Sequence, residues 1–234
     1  MKQAKLERIC RQYQPIDCII LDFDGTFIQE HILITWVMFL LVKSKLTIKQ
    51  KCLFFFNSFF RGAVSMLFSS QTLTSEWAVK LAYKTFKGID INTIDHMLNY
   101  KNKQKGYIVN LNTKLTKLLA LLYNSSGMPE IRVYSQGSFN YVIQKFIQRS
   151  DVKKCLNRIG ICADSIVINA NELETDKNKK FTGILSSKVQ TKFNRINNLN
   201  KNTVFIGDSK DEAALKKINL QTIKFINWKK LSAN

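Results

Sequence analysis

The sequence predicts an α/β protein, a doubly wound parallel sheet with an inserted all-helical segment. Short apolar runs rich in Ile and Val, each bounded by polar residues or glycine, are typical of buried parallel strands. They alternate with stretches of helical periodicity, as in a doubly wound sheet. After the first run, residues 33–105 contain long helical segments and almost no Gly or Pro. The 234 residues suit a core with one such insertion.

The first predicted strand covers residues 17–22 (DCIILD) and ends at Asp22. Further strands are predicted at residues 131–134, 165–168, 203–206 and 222–226. Covering helices are predicted at residues 111–123, 139–148 and 189–196. The first of these has leucines at helical spacing and is followed by Gly127, a typical C-terminal cap. The charged stretch 171–183 is predicted to be a loop.

The insertion divides the chain into a core of residues 1–32 and 106–234 and a helical cap of residues 33–105. It follows the first strand directly. We therefore expect it beside the carboxyl edge of the sheet, where open α/β proteins bind their ligands.

The charge balance is strongly basic, with 36 Lys and Arg against 17 Asp and Glu and a formal charge of +19. The basic residues are spread along the chain without a dense arm or a nucleic-acid motif, so no nucleic-acid partner is expected. The five cysteines lack paired or metal-ligand spacing and are predicted to be reduced thiols. The N-terminus lacks a secretory signal pattern, and the predicted location is cytoplasmic.

Polar groups follow several predicted strands: Asp22 and Asp24, Ser135, and Asp208, with Lys188 at the start of a later helix. Mg²⁺ prefers oxygen ligands, commonly one or two carboxylates together with a substrate phosphate. A metal between Asp22 and Asp208 would offset their repulsion and leave Asp22 able to attack phosphorus. Asp24 could exchange a proton with the leaving oxygen and then with water. Ser135 and Lys188 could stabilise the non-bridging oxygens, so the set predicts Mg²⁺-dependent phosphoryl chemistry.

These residues also carry a family resemblance. DFDGT (22–26), the strand ending at Ser135, Lys188 and GDSKDEAAL (207–215) resemble the four motifs of the haloacid dehalogenase (HAD) superfamily. Most of its members are Mg²⁺-dependent phosphatases with a Rossmann-like core. YSQGSF (134–139) and residues 170–190 resemble the phosphoserine phosphatase-like branch (subfamily IB), which has a helical C1-type cap after the first motif.

The resemblance implies a set of roles for individual residues. They are Asp22 as nucleophile, Asp24 as acid/base and, through its carbonyl, metal ligand, Asp208 as metal ligand, and Ser135 and Lys188 as phosphate ligands. Gln136 and Gly137 belong to the same substrate-binding turn, and Ser138 is a further candidate there. The second acid of the fourth motif corresponds to Glu212, with Asp211 beside it. The sequence does not decide which of the two supports the metal site.

The resemblance leaves the substrate undecided. In amino-acid-specific members an acid about nine positions after the nucleophile meets the substrate amine, and here that position is His31, beside Glu30. A phosphoserine-like metabolite and a lipid phosphate are both candidate substrates.

The insertion is apolar and basic. Residues 32–42 (ILITWVMFLLV) and 52–68 (CLFFFNSFFRGAVSMLF) are flanked by lysines, and no acid occurs between Glu30 and Glu76. Neither run reaches the length of about 20 residues that crosses a bilayer. In one interpretation the runs are buried helices of the cap. In the other, the cap lies on the anionic inner surface of the cell membrane. An alternative of another class is a non-catalytic module that binds membrane or nucleic acid through this cap.

Overall fold

The computed structural model describes residues 7–8, 11–43, 48, 51, 56, 76–103, 106–187, 202–217, 223–228 and 230. Its strands are β1 (Cys18–Asp22), β2 (Lys101–Asn102), β3 (Gly106–Tyr107), β4 (Glu130–Phe139), β5 (Val167–Asn171), β6 (Leu173–Thr175), β7 (Phe181–Leu185), β8 (Thr203–Gly207) and β9 (Ile223–Asn227). Its helices are α1 (Ile32–Lys43), α2 (Glu76–Tyr83), α3 (Ile91–Asn99), α4 (Thr113–Ser125), α5 (Asn140–Gln148), α6 (Ser150–Arg158) and α7 (Ser209–Lys217).

The main sheet has five parallel strands in the order β5-β4-β1-β8-β9. The chain starts at the centre, builds outward through β4 and β5, and returns to the other side of β1 through β8 and β9. The predicted α/β doubly wound fold is therefore confirmed. The order reverses between β1 and β8, so the crevice for a ligand lies at the carboxyl ends of these central strands.

The central strand β1 is buried on both faces. Ile19 and Leu21 pack into the larger hydrophobic cluster, and Cys18 and Ile20 pack into the cluster on the opposite face. Successive side chains of a strand alternate in this way. Burial raises the pKa of the Cys18 thiol to about 11, as expected for a cysteine that packs within a strand.

Two element starts differ from the prediction for local reasons. The strand expected at 165–168 begins at Val167, because Ala163–Ser165 form a short 3₁₀ turn in which the Ser165 hydroxyl donates to the Cys162 carbonyl. The helix expected at 111–123 begins at Thr113, because the Asn112 side chain caps it by accepting from the Leu115 N–H. The predicted helix 189–196 and Lys188 lie outside the described residues.

The prediction of a loop at residues 171–183 was wrong. β6 and β7 pair there as an antiparallel hairpin. The Asp176 carboxylate stabilises its turn by accepting from the N–H groups of Asn178 and Lys180 at 2.8 and 2.9 Å. The hairpin also pairs with the insertion, since the Gly88 N–H donates to the Phe181 carbonyl at 2.7 Å.

The described part of the insertion is helical, apart from the two-residue strands β2 and β3 on either side of its predicted end. Trp36 of α1 is fully buried and stacks on Phe86 at 5.3 Å. Phe86 in turn contacts Phe139 and Phe181, so one hydrophobic cluster runs from the insertion into the core. No helix in the described segments is both long enough and apolar enough to span a bilayer. Except for Phe56, the run 52–68 lies outside them.

The two connections between core and insertion lie side by side. Ile28 and Leu111 form an antiparallel bridge. The Gln29 N–H donates to the Asn110 carbonyl at 3.0 Å, and the Asn112 N–H donates to the Phe27 carbonyl at 2.9 Å. These bonds fix where the insertion leaves and re-enters the sheet.

Candidate active site

Three neighbouring strands bring predicted site residues to one edge of the sheet. In the register of β1 with β4, Asp22 is opposite Tyr134, so Ser135 follows directly beside it. On the other side Leu21 pairs with Ile206, which places Asp22 next to the end of β8 and Asp208 just beyond. Asp22 thus ends the central strand between the other two groups.

The chain turns sharply after Asp22. Gly25 has a φ of +71°, a conformation that favours glycine, and its N–H donates to the Glu30 carbonyl at 3.0 Å. The Asp22 side chain is only 4% exposed and accepts a hydrogen bond of 3.3 Å from the Thr26 hydroxyl. Thr26 belongs to the DFDGT motif, so this contact could have been expected from the sequence.

Asp24 lies at the centre of a hydrogen-bond network. Its Oδ2 accepts from the hydroxyls of Ser135 at 3.0 Å and Ser138 at 2.8 Å. Its Oδ1 accepts from the backbone N–H of Ile32, the first residue of α1, at 2.8 Å. Three donors from two separate parts of the chain therefore hold this carboxylate in one orientation.

Residues 135–138 form a turn-like irregular part of β4, where the register with β5 shifts between Tyr134 and Phe139. The Ser138 N–H donates to the Ser135 hydroxyl at 2.8 Å. At Gly137 a Cβ would lie 3.7 Å from Asp24 Oδ2 and would fill the space beside that carboxylate. The carbonyl of Gln136 accepts a 3.0 Å hydrogen bond from the hydroxyl of Tyr83.

Tyr83 comes from the insertion and was not predicted as a site residue. Burial raises the pKa of its hydroxyl, which therefore remains a neutral donor. No feature of the sequence near Tyr83 indicates this contact, because it joins residues 53 positions apart.

Asp208 and Asp211 bind each other's backbone at the start of α7. The Asp208 N–H donates to Asp211 Oδ2 at 3.2 Å, and the Asp211 N–H donates to Asp208 Oδ1 at 3.3 Å. This reciprocal pattern is a capping box. A Cβ on Gly207 would collide with the Asp211 carboxylate, so the glycine allows the buried Asp211 to lie against the end of β8.

Glu212 faces a different part of the surface. Its carboxylate accepts from the Asn227 side chain at 2.9 Å and pairs with Lys230 at 3.2 Å and Lys216 at 3.3 Å. The Asn227 hydrogen bond, followed by that of Lys230, lowers the pKa of Glu212 to about 2. Of the two candidate acids, Asp211 is the one that contacts Asp208 through its side chain.

Glu30 and His31 are adjacent in sequence but make different contacts. The Glu30 carboxylate accepts from the backbone N–H and the side-chain amide of Asn110, at 2.8 and 3.1 Å, and so fastens the two connections together. The exposed imidazole of His31 lies over Gly25, where a Cβ would come within 3.2 Å of the ring. His31, and not Glu30, therefore lies over the residue that follows Asp24.

The donors at this edge suit Mg²⁺. Asp22 and Asp208 could offer carboxylate oxygens and the Asp24 backbone could offer a carbonyl oxygen, all of them hard ligands. Within the described ranges no group of three or more His, Cys, Asp or Glu side chains forms a metal site. Two carboxylates are nevertheless sufficient for Mg²⁺, which usually completes its shell with water and substrate phosphate.

The fold is shared with solved phosphoserine phosphatases and a solved HAD family hydrolase. A phosphoserine phosphatase described as a phospho-aspartyl intermediate analogue is 16% identical over 87% of this chain and 83% of its own, with a TM-score of 0.53. A substrate-bound phosphoserine phosphatase complex is 15% identical over 86% of this chain and 82% of its own, also at 0.53. A HAD family hydrolase from Salmonella enterica subsp. enterica serovar Typhi is 15% identical over 96% of this chain and 75% of its own, at 0.54.

No protein-family model matches the sequence, and the search of curated proteins found none similar to it. The structural similarities confirm the predicted resemblance at the level of the fold, which the chain shares with phosphoserine phosphatases and a HAD family hydrolase.

Proposed function

We propose that the chain is a HAD-type phosphatase that hydrolyses phosphomonoesters through a covalent aspartyl-phosphate on Asp22. The observation that carries this proposal is that two carboxylates at the same strand end have different surroundings. Asp22 is buried at the tip of the central strand, and Asp24 is fixed by Ser135 and Ser138 beside it. The shared fold with a phosphoserine phosphatase described as a phospho-aspartyl intermediate analogue supports it.

In the proposed reaction an Asp22 oxygen attacks phosphorus, and the bond from phosphorus to the leaving alcohol breaks. Asp24 donates the proton that the leaving oxygen needs. Asp24 then takes a proton from water, which attacks the phosphorus, releases inorganic phosphate and restores the Asp22 carboxylate. Ser135 and Lys188 hold the non-bridging oxygens, for which the Ser135 hydroxyl turns from Asp24 to the phosphate.

Asp22, Asp208 and the Asp24 carbonyl would hold Mg²⁺. When bound, the ion supplies charge neutralisation and Lewis acidity toward the phosphoryl oxygens. We assign the supporting role in this set to Asp211, since its carboxylate orients Asp208, whereas Glu212 pairs with lysines.

The proposal is tested with purified protein, a panel of soluble phosphomonoesters, and phosphate release measured with Mg²⁺ and with a chelator. Asp22→Asn should lower kcat by roughly a thousandfold or more without unfolding the protein. Asp17→Asn is the matched control, because Asp17 lies just before the opposite end of β1 and accepts from the Asn202 side chain. Undiminished turnover in Asp22→Asn would refute the proposed phosphatase activity through Asp22 and would leave the non-catalytic alternative.

A lipid phosphate is the second candidate substrate, and an exposed apolar face favours it. Ile34, Met38 and Val42 follow one another along the outer side of α1, and Met38 is 53% exposed. They line a cavity of about 640 Å³ together with Lys103. This cavity contains none of the predicted site residues, so it would serve contact with an anionic membrane and not catalysis.

The lipid hypothesis is tested with phosphatidic acid in anionic vesicles. Met38→Ser should reduce vesicle binding and lipid hydrolysis while leaving hydrolysis of soluble esters unchanged. Met128→Ser is the control, since Met128 is 72% exposed and lies in the turn after α4. Equal vesicle binding by both variants and the parent would contradict membrane contact through α1.

A further inference from the structure

We infer that the substrate carries a second anionic group beside its phosphate ester, and that His31 contacts this group. The inference rests on the proposed phosphatase function and specifies the class of leaving group. It follows from the position of His31, the engagement of the nearby acids, and the charge of the insertion.

His31 is held firmly next to the proposed acid/base. The residue before it, Glu30, accepts the Gly25 N–H through its carbonyl, and the residue after it, Ile32, donates its N–H to Asp24. The His31 carbonyl accepts from the Thr35 N–H at 3.0 Å in the first turn of α1. The backbone is thus fixed on both sides, and the imidazole lies over Gly25 and toward solvent.

In this proposal the leaving group lies beside the imidazole, because the leaving oxygen takes its proton from Asp24 and the His31 ring lies over the next residue, Gly25. An imidazole N–H at that point can donate a hydrogen bond to a carboxylate or phosphate oxygen. It provides no anionic partner for an ammonium group.

The acids that could bind an ammonium group are engaged elsewhere. The sequence has none between Glu30 and Glu76. Glu30 is bound to Asn110, and the Asp90 carboxylate accepts from the Asn92 N–H at 2.8 Å.

Two further acids are also occupied. Asp95 accepts from the Tyr141 hydroxyl at 2.9 Å and pairs with Lys145 at 3.5 Å. On the core side, Glu172 accepts from the Asn140 side chain at 3.2 Å. A substrate ammonium would have to share these carboxylates with the donors that they already bind.

The charge of the insertion favours an anion. The segment that brings Tyr83 to the Gln136 carbonyl also carries Lys80, Lys84 and Lys87, all of them exposed. A basic surface attracts anionic ligands and repels cationic ones. A second negative charge on the substrate therefore matches both the imidazole of His31 and the basic character of the insertion.

The test compares three two-carbon phosphomonoesters that differ in the charge of their other end: ethyl phosphate, phosphoglycolate and phosphoethanolamine. For the parent protein with Mg²⁺ we expect kcat/KM for phosphoglycolate to exceed that for phosphoethanolamine by about tenfold or more. His31→Glu should invert this ratio, and His31→Gln should bring it close to one. The ratio within each variant is unaffected by a general loss of activity.

The control is His96→Glu, at the only other histidine of the chain. The His96 ring packs against Phe39 and Tyr100 within the insertion. This variant should retain the ratio of the parent. Hydrolysis of all three esters with a ratio near one, or a ratio unchanged in His31→Glu, overturns the inference and leaves the phosphatase intact. Hydrolysis of none, including ethyl phosphate, overturns the phosphatase proposal itself.

Discussion

The hydroxyl of Tyr83 in the insertion donates a hydrogen bond to the backbone carbonyl of Gln136 in the core, at 3.0 Å. Gln136 lies in the turn between Ser135 and Gly137, both of which are adjacent to Asp24. The insertion therefore contacts and positions the turn that is proposed to bind phosphate.

Tyr83→Phe should lower kcat/KM roughly fivefold, since one hydrogen bond contributes about 1 kcal/mol. The phosphate turn loses its fixed carbonyl, so we expect the effect mainly in KM for the phosphomonoester. Steady-state kinetics with ethyl phosphate or phosphoglycolate measure this. Tyr141→Phe is the matched control, because it removes a hydroxyl that also joins core and insertion, through Asp95.

The two tyrosine variants should lose similar stability in thermal unfolding, but only Tyr83→Phe should lose activity. Equal kinetic losses in both would show that Tyr83 acts only through general stability. Unchanged kinetics in Tyr83→Phe would show that the turn does not depend on the insertion.

Ser138→Ala should lower kcat by roughly tenfold or more, because a hydrogen bond to a charged group contributes about 1.5–3 kcal/mol. The Ser138 hydroxyl is buried and holds Asp24 Oδ2 at 2.8 Å. Without it the proposed acid/base can turn away from the leaving oxygen. Initial rates at saturating substrate provide the measurement.

Ser126→Ala is the control for this change. The buried hydroxyl of Ser126 has no hydrogen-bond partner in the part of the chain that the structure describes. Its removal should leave kcat unchanged and the melting temperature equal or slightly higher. A kcat for Ser138→Ala equal to that of Ser126→Ala would contradict the role of Ser138.

The ends of the strands could be predicted because their signals are local. β1 and β8 contain short apolar runs; Asp22 is the last residue of β1, and Asp208 directly follows β8. Parallel strands meet at one edge, so the sequence alone brings these groups and Ser135 together.

The contacts made by the insertion could not be predicted from local sequence. The hairpin β6–β7 consists of a polar first strand and a mixed second strand, and it gains order from Phe181 packing on Phe86 and Phe139. Tyr83 likewise has no motif around it. Both depend on chain segments that are distant in sequence, where propensity and periodicity carry no information.

Asp211→Ala should raise the Mg²⁺ concentration for half-maximal activity by about tenfold, since a positioning partner of a metal ligand typically contributes 10–100-fold in metal affinity. The variant loses the carboxylate that accepts the Asp208 N–H. Asp211→Asn retains an acceptor and should recover part of the affinity. Activity titrated with Mg²⁺ measures the change, and Glu212→Gln, which alters the neighbouring acid, should titrate as the parent does. If the Mg²⁺ concentration for half-maximal activity rose in Glu212→Gln and not in Asp211→Ala, Glu212 and not Asp211 would support the metal site.

Glu212 should instead contribute stability that depends on pH. The Asn227 hydrogen bond, then Lys230, lowers its pKa from 4.5 to about 2 in the folded protein. A depressed carboxyl pKa means that the unfolded chain binds the proton more readily, so the contribution is fully present above about pH 4.5 and is lost as pH falls toward 2. Glu212→Gln should therefore lower the melting temperature most near pH 7, and the difference from the parent should shrink progressively between pH 4.5 and 2. Glu174→Gln, in the exposed part of β6, is the control and should leave the melting temperature at pH 7 close to that of the parent. A difference for Glu212→Gln that stays constant from pH 7 to pH 3 would mean that its carboxylate does not hold α7 to β9 through charge.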